Sequence, residues 1–281
     1  MPRGPALVLV ATPIGNMGDL PPRAVEELTA CDVIACEDTR RTGRLLSLAG
    51  VSPTELVTVN EHTEAVAAPQ LAARIKAGER VAYVTDAGTP TVADPGERLV
   101  RAVADAGCTV TIVPGPSAPL AAVAVSGLAS GRFVFEGFLP RRGAARAERL
   151  AELAASGRAV VLLEAPHRCA RTAVDLAESF GSQRRVVAAR ELTKLHEEIW
   201  RGSLVELAAW AGAGIRGEVV LVIEAVPPPA PPTDEDIAEA VAEARAAAPD
   251  ASVRDITSAV AGRLGVSRRH VYEQARQLEG I

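Results

Sequence analysis

The chain has 281 residues, 48% of them hydrophobic and only 3% aromatic, with a formal net charge of −5. This length allows two domains and a sizeable core, and the negative balance excludes a uniformly basic nucleic-acid binder. No apolar run reaches the roughly 18 residues of a membrane span, and the short, strand-like apolar run near the N-terminus, with Arg3 as its one charge, does not suit a signal peptide. A cytoplasmic protein is therefore expected.

The charge is uneven. Residues 132–149 carry five arginines against two glutamates, and residues 233–250 carry six acids against one arginine. A polyanionic partner engaged locally stays open. Cys31, Cys36, Cys108 and Cys169 match no zinc spacing and read as small buried hydrophobes in a reducing compartment, so no metal site is expected.

In chain order, Ala6 to Val10 is an apolar strand followed by the loop Ala11 to Asn16. Pro21-Pro22 opens a helix, where prolines are tolerated in the first turn. Cys31 to Cys36 reads as a buried strand, and the charged segment Glu37 to Arg41 leads into a helix from Thr42 to Leu48. Leu56 to Val59 is a short strand ending in Asn60-Glu61-His62, with Thr63 expected to cap the helix that runs to Ala77. Arg80 to Val84 is a strand, Asp86 to Gly96 a loop rich in Gly, Pro, Asp and Thr, and Glu97 to Ala106 a helix. Thr109 to Val113 is a strand leading into Pro114-Gly115-Pro116-Ser117-Ala118. Strands alternating with helices at this spacing predict a mostly parallel sheet covered on both faces, with functional groups collected at the carboxyl ends of the strands.

The pattern breaks at residues 127–131. Beyond it, strands are expected at Arg132–Phe138, Ala159–Leu163, Arg185–Ala189, Glu198–Gly202 and Glu218–Ala225, and helices at 144–155 and 169–179. This predicts a second α/β domain with more antiparallel pairing. The run Pro227 to Pro232 reads as a polyproline II spacer. Helices follow at Asp234–Ala248, Val253–Leu264 and Arg268–Leu278, the last two joined by Gly265-Val266-Ser267 in a helix-turn-helix shape. The expected domains are 1–126, 127–226, a linker at 227–233 and a helical module at 234–281.

Neither G-x-G-x-x-G nor G-x-x-x-x-G-K-[ST] occurs, so the usual nucleotide loops are not indicated. The loops at 11–16, 86–96 and 114–118 instead offer backbone amides, hydroxyls and short side chains, and together they predict a binding cleft.

Ala-Thr-Pro-Ile-Gly-Asn (11–16), Glu-Asp-Thr-Arg (37–40), Asn-Glu-His (60–62), Thr-Asp-Ala-Gly-Thr-Pro (85–90), Asp-Pro-Gly (94–96) and Pro-Gly-Pro-Ser-Ala (114–118) follow in order. Glu-Gly-Phe-Leu-Pro (136–140), Glu-Ala-Pro-His-Arg (164–168) and Arg-Glu-Leu-Thr-Lys (190–194) complete the series. In these motifs the chain resembles the bacterial small-subunit ribosomal RNA 2′-O-ribose methyltransferases of the tetrapyrrole methylase superfamily. The resemblance implies two α/β domains with S-adenosylmethionine in the cleft between them, a homodimer, and methylation of a cytidine ribose in the decoding region of 16S rRNA. It implies donor contacts at Thr12, Pro13, Asp86, Gly88, Thr89, Pro90, Val92, Ser117 and Ala118, and across the cleft at Glu164, Ala165, Leu192, Gly217 and Glu218.

A ribose hydroxyl is a poor nucleophile at neutral pH, and a general base helps. Glu61 and His62 are the first candidates, then Asp38 and Glu37, all after first-domain strands. Each also has a purely local reading: a helix-start residue, a loop-orienting carboxylate, a partner for Arg40. Arg40, Arg41, Arg141, Arg142, Arg268 and Arg269 are paired arginines suited to phosphate, and Lys194 lies in a polar stretch that touches RNA or lines a domain interface. Two other functions fit parts of the pattern: a methylase of a corrinoid or porphyrin precursor on the same scaffold, and a ligand-sensing nucleic-acid binder.

Overall fold

The computed structural model describes residues 4–129, 131–225, 232–249 and 251–279. The chain divides into two units, Met1–Val226 and Pro227–Ile281.

The first unit contains two five-stranded sheets. In the first, β1 (Ala6–Val10), β2 (Val33–Cys36), β3 (Leu56–Thr58), β4 (Arg80–Val84) and β5 (Val110–Val113) lie in the order β3-β2-β4-β1-β5. Every pairing is parallel, as expected. Helices α1 (Pro22–Ala30), α2 (Thr39–Leu48), α3 (Glu64–Lys76) and α4 (Glu97–Asp105) cover it. Leu7, Val33, Val81 and Tyr83 pack on one face with Leu71, Ile75, Leu99 and Val103. Val8, Val10, Ile34 and Val84 pack on the other with Ala24, Leu28 and Leu46. Burial on both faces is why these strands are continuous apolar runs rather than alternating ones.

Two local starts differ from expectation. Helix α2 begins at Thr39 rather than Thr42, because the Asp38 carboxylate caps it, accepting from the amides of Arg40 (2.8 Å) and Arg41 (3.3 Å). The Thr63 side chain does not cap α3. Its hydroxyl donates to the Thr58 carbonyl at 3.1 Å, and the Asn60 side chain accepts from the amides of His62 and Thr63, closing an Asx turn.

The second sheet holds β6 (Phe133–Phe138), β7 (Ala159–Glu164), β8 (Arg185–Arg190), β9 (Glu198–Ser203) and β10 (Val219–Ile223) in the order β6-β7-β10-β8-β9. Only β6 and β7 pair in parallel among these strands; the other three pairings are antiparallel. One face packs on α6 (Ala144–Ala155), α7 (Pro166–Phe180) and α8 (Leu204–Gly212), through Leu150, Leu176, Leu204 and Leu207. The reading above contains no element between 202 and 218. Helix α8 is started there by a capping box, the Ser203 hydroxyl accepting from the Glu206 amide and the Glu206 carboxylate accepting from the Ser203 amide.

Helix α5 (Ala118–Ser126) follows β5 in sequence, yet its Ala122 packs with Val161, Val187, Ala189, Val220 and Val222 on the other face of the second sheet. It ties the two sheets together on the N-terminal side of the break at 127–131.

Within the second unit, α9 (Asp234–Ala247), α10 (Val253–Leu264) and α11 (Arg268–Glu279) bury Ile237, Val241, Ile256, Val260, Val271 and Ala275 against one another. Gly265, in a left-handed conformation (φ 67°), ends α10 and allows the tight turn into α11. Most of the proline-rich spacer expected at 227–233 lies outside the described residues.

Candidate active site

Strand order decides which loops meet. Because β4, β1 and β5 are neighbours, the loops after them stand side by side at the carboxyl edge of the first sheet. The Thr12 amide donates to the Gly88 carbonyl (2.9 Å), and the Gly88 amide donates to the Thr12 carbonyl (3.1 Å). The Thr89 hydroxyl donates to the Pro116 carbonyl at 3.0 Å. The three loops therefore form one bonded wall.

The loop from 86 to 96 is tightly wound. Gly88 (φ 83°) and Gly96 (φ 122°) are left-handed, and so are Thr91 (φ 71°) and Ala93 (φ 62°), where a side chain resists that conformation. Across the cleft, the segment after β8 does the same at Glu191 (φ 50°) and Thr193 (φ 65°). Gly15 lets the first loop approach that segment: a Cβ there would lie 2.8 Å from Thr193 Oγ1 and 3.1 Å from the Leu192 carbonyl oxygen.

Between the walls lies a cavity of about 360 Å³. Gly88, Thr89, Val92, Ser117 and Ala118 line it from the first sheet's loops, and Glu164, Ala165, Leu192, Gly217 and Glu218 line it from the second sheet. Ten of the residues expected to touch the donor thus share one cavity. Thr12, Pro13, Asp86 and Pro90 are not among its lining residues. Thr12 and Pro90 are buried behind the wall, and Asp86 turns to Arg41, its Oδ2 accepting from Nη1 at 2.8 Å. The expectation missed Ile14, Asp94, Phe138, Leu163 and Val220, which also line the cavity. The apolar ones carried no signal distinguishing them from core residues.

The cavity suits a cationic, partly apolar ligand. No lysine, arginine or histidine is among its lining residues, whereas Asp94, Glu164 and Glu218 are. The Ser117 hydroxyl makes no cap bond to α5 and is free to meet a ligand. Glu164 is already engaged, accepting from the Thr172 hydroxyl (2.6 Å) and pairing with Arg168 (3.1 Å). Asp94 is different: burial, and then the charges of Glu37 and Asp86, push its carboxyl up to about 6. Burial also raises Glu37 and Asp86, with Arg41 opposing it at Asp86. Thr85 Oγ1, Asp86 Oδ1 and Thr193 Oγ1 are buried without a hydrogen-bond partner, all three in the segments that frame the cavity.

The candidate bases Asp38, Glu61 and His62 stand elsewhere. Asp38 spends its carboxylate on the α2 cap and on Arg40 (3.4 Å), and those bonds hold it below the usual carboxylate range. Glu61 and His62 are exposed in the turn after β3, three strands from β1 and so about 14 Å away at the usual spacing. Lys194 is drawn into the cavity's rim, donating to Glu191 and Glu218 at 2.8 Å each. Arg40, Arg41, Arg141, Arg142, Arg268 and Arg269 are exposed. Among the described residues no group of three His, Cys, Asp or Glu side chains is placed to hold a metal ion, and no helix is long and apolar enough to cross a membrane.

Two α/β sheets enclosing a strand-end cavity with a non-basic lining define a small-molecule-binding scaffold. Residues 6–208 match the sequence model of the tetrapyrrole (corrin/porphyrin) methylases, and the chain belongs to that family. It is 42% identical over 274 residues to the ribosomal RNA small subunit methyltransferase I of Mycobacterium tuberculosis, covering 96% of this chain and 94% of that one. It is 45% identical over 223 residues to the protein of the same name from Synechocystis, covering 79% and 80%. Among solved structures, a cobalt precorrin-4 methyltransferase aligns with a TM-score of 0.58 at 19% identity (79% of this chain, 96% of that one). A uroporphyrin-III C-methyltransferase from Thermus thermophilus aligns with a TM-score of 0.54 at 22% identity (79% and 95%). The fold is that of these enzymes. The chain is a methyltransferase, and S-adenosylmethionine is its methyl donor.

Proposed function

We propose that the chain methylates the 2′-hydroxyl of a cytidine in the decoding region of 16S rRNA, acting in the cytoplasm as a homodimer on the small ribosomal subunit. The observation that supports this reading is sequence identity. The Synechocystis and Mycobacterium tuberculosis relatives named ribosomal RNA small subunit methyltransferase I are 45% and 42% identical to this chain, whereas the porphyrin and corrin enzymes that share its fold are 22% and 19% identical.

S-adenosylmethionine supplies an electrophilic methyl group carried on a sulfonium. Of the residues lining the cavity, Ala87, Gly88 and Thr89 would hold it through backbone, Ser117 through its hydroxyl, and Ile14, Leu163, Leu192 and Val220 through apolar surface. Fixing donor and hydroxyl in line accounts for about 7–11 kcal/mol in well-oriented systems. A cavity free of basic side chains does not repel the donor's positive charge. Asp94 takes the place of Asp38, Glu61 and His62 as general base in this reading, because it alone of the four lines the cavity. With its carboxyl near 6 it is ionised at neutral pH and still basic enough to accept the ribose proton.

The test is transfer of labelled methyl from S-adenosylmethionine to small subunits lacking the modification, in parallel with free 16S rRNA, followed by mass-spectrometric placement of the label. Label on a cytidine ribose is expected. Donor binding without label on rRNA would sink the proposal.

A further inference from the structure

A second cavity, of about 690 Å³, opens beside the donor cavity, and Phe138 and Ala165 line both. Its remaining polar lining includes Arg141, Arg146, His167, Arg168 and Arg171, with no acidic residue. The arginines divide into two kinds. Arg146 is buried and fixed by Asp175 (2.6 Å), Thr172 (2.9 Å) and the Pro140 carbonyl (3.0 Å). Arg168 is held by Glu164 (3.1 Å) and the Leu139 carbonyl (3.2 Å). Arg141, Arg171 and His167 are exposed, and among the described residues their side chains have no hydrogen-bond or ion-pair partner. His167 and Arg171 lie four apart on α7, hence on one face, with Arg168 three residues before Arg171. A concave site whose floor arginines are fixed by carboxylate partners and whose rim carries unpaired guanidinium forks matches a phosphodiester held at the rim.

Phe138 stands at the border of the two cavities, 56% exposed. Its position follows from a bulge. Phe135 pairs with Val161 and Phe138 with Leu163, the register shifting between Phe135 and Gly137. Val161 and Leu163 are two apart and point to the same face, so Phe135 and Phe138 share that face although three residues separate them. Without the extra residue Phe138 would face the α6–α7 side. An aromatic ring turned outward beside a cationic groove is the arrangement on which unpaired bases stack.

We propose that the second cavity is a nucleotide-backbone site. It holds the phosphodiester next to the target nucleoside through Arg141, Arg171 and His167, while the base stacks on Phe138 and the ribose enters the donor cavity. This rests on the reading of RNA as substrate and adds where the strand runs.

The test measures equilibrium binding of a single-stranded RNA spanning the target, over a range of salt, alongside methyl transfer to small subunits. Both use the full-length protein and its Arg171→Ala, Arg171→Lys, Arg141→Ala, Phe138→Ala and Phe138→Trp variants. Donor affinity and thermal midpoint serve as controls on folding. Arg171→Ala and Arg141→Ala are each expected to lower the salt slope by about one and to raise KM more than they lower kcat, with Arg171→Lys keeping the slope. Phe138→Ala is expected to weaken RNA binding roughly tenfold and Phe138→Trp to restore it. Unchanged slopes and KM in both arginine variants, or an RNA that the unaltered protein does not bind, would overturn the proposal. RNA binding that loses slope in the arginine variants without any methyl transfer by the unaltered protein would support this site while removing the proposed activity.

Discussion

Thr12 and Gly88 exchange backbone hydrogen bonds in both directions, at 2.9 and 3.1 Å, although they stand 76 positions apart in sequence. This bridge welds the loop after β1 to the loop after β4. It makes the wall of the donor cavity a property of two loops rather than one, so disturbing either should be felt at the donor.

Gly88 itself is left-handed (φ 83°), and a Cβ there would meet Ile14 Cγ2 at 3.5 Å, an ordinary contact. The cost of a side chain is therefore backbone strain rather than collision, about 1–2 kcal/mol for alanine. Gly88→Ala is expected to lower the thermal midpoint by a few degrees. Gly88→Val, whose branches extend beside Ile14, is expected to abolish donor binding in calorimetry. Unchanged donor affinity in the valine variant would contradict the placement of this loop.

Gly15 presents the opposite case. A Cβ there collides with Thr193 and Lys194 and crowds the Leu192 carbonyl, so alanine must push the segment after β8 away. Overpacking of this kind costs about 1–3 kcal/mol. Since Leu192 lines the cavity, Gly15→Ala should weaken donor binding as well as stability, measured by calorimetry and thermal unfolding.

Asp94 should write a pH dependence on both stability and rate. Its carboxyl is raised from 3.8 to about 6 on folding, so the folded state holds the proton more tightly than the unfolded one. This contribution to stability is complete below about pH 4 and is lost as pH rises through about 6. Asp94→Asn should remove that decline, giving a higher midpoint than the unaltered protein above pH 6 and little difference at pH 4. The same variant should lose kcat by about 10²–10⁴-fold with donor affinity retained, and with it the acid limb of kcat/KM near pH 6. An acid limb that survives the substitution would place the base elsewhere.

Lys194 bonds Glu191 and Glu218 at the rim of the cavity, its side chain 28% exposed. Lys194→Ala is expected to lower the thermal midpoint by a few degrees, the effect of losing up to about 1 kcal/mol from a partly exposed pair. Donor binding should weaken with it. The salt slope of RNA binding should not change. A slope reduced by about one would return Lys194 to the RNA surface.

Local pattern made much of this protein legible. Continuous apolar runs such as Ala6 to Val10 mark doubly covered strands, and the Gly, Pro and Thr between them mark strand-end loops. Ten of the cavity's lining residues were expected because the family resemblance implies them, and seven of these lie inside the short contiguous motifs that carry that resemblance. Phe138 was not, since one bulge residue reverses the face that alternation assigns to it. Helix α8 escaped notice although Ser203 and Glu206 spell a capping box. Thr91 and Ala93 gave no sign of their left-handed conformation, which residues with a Cβ adopt only when the surroundings impose it.

By itself the sequence determined the alternation of strands and helices, the residues that collect at strand ends, and membership of a methylase family. These depend on periodicity and on short runs of chain. Only the tertiary structure decided which strand ends are neighbours. Pairing β1 between β4 and β5 brings Ile14, Gly88 and Ser117 to one cavity, and placing β3 at the far edge leaves Glu61 and His62 outside it. Strand order is set by contacts between distant segments, and so is the burial that makes Asp94 basic.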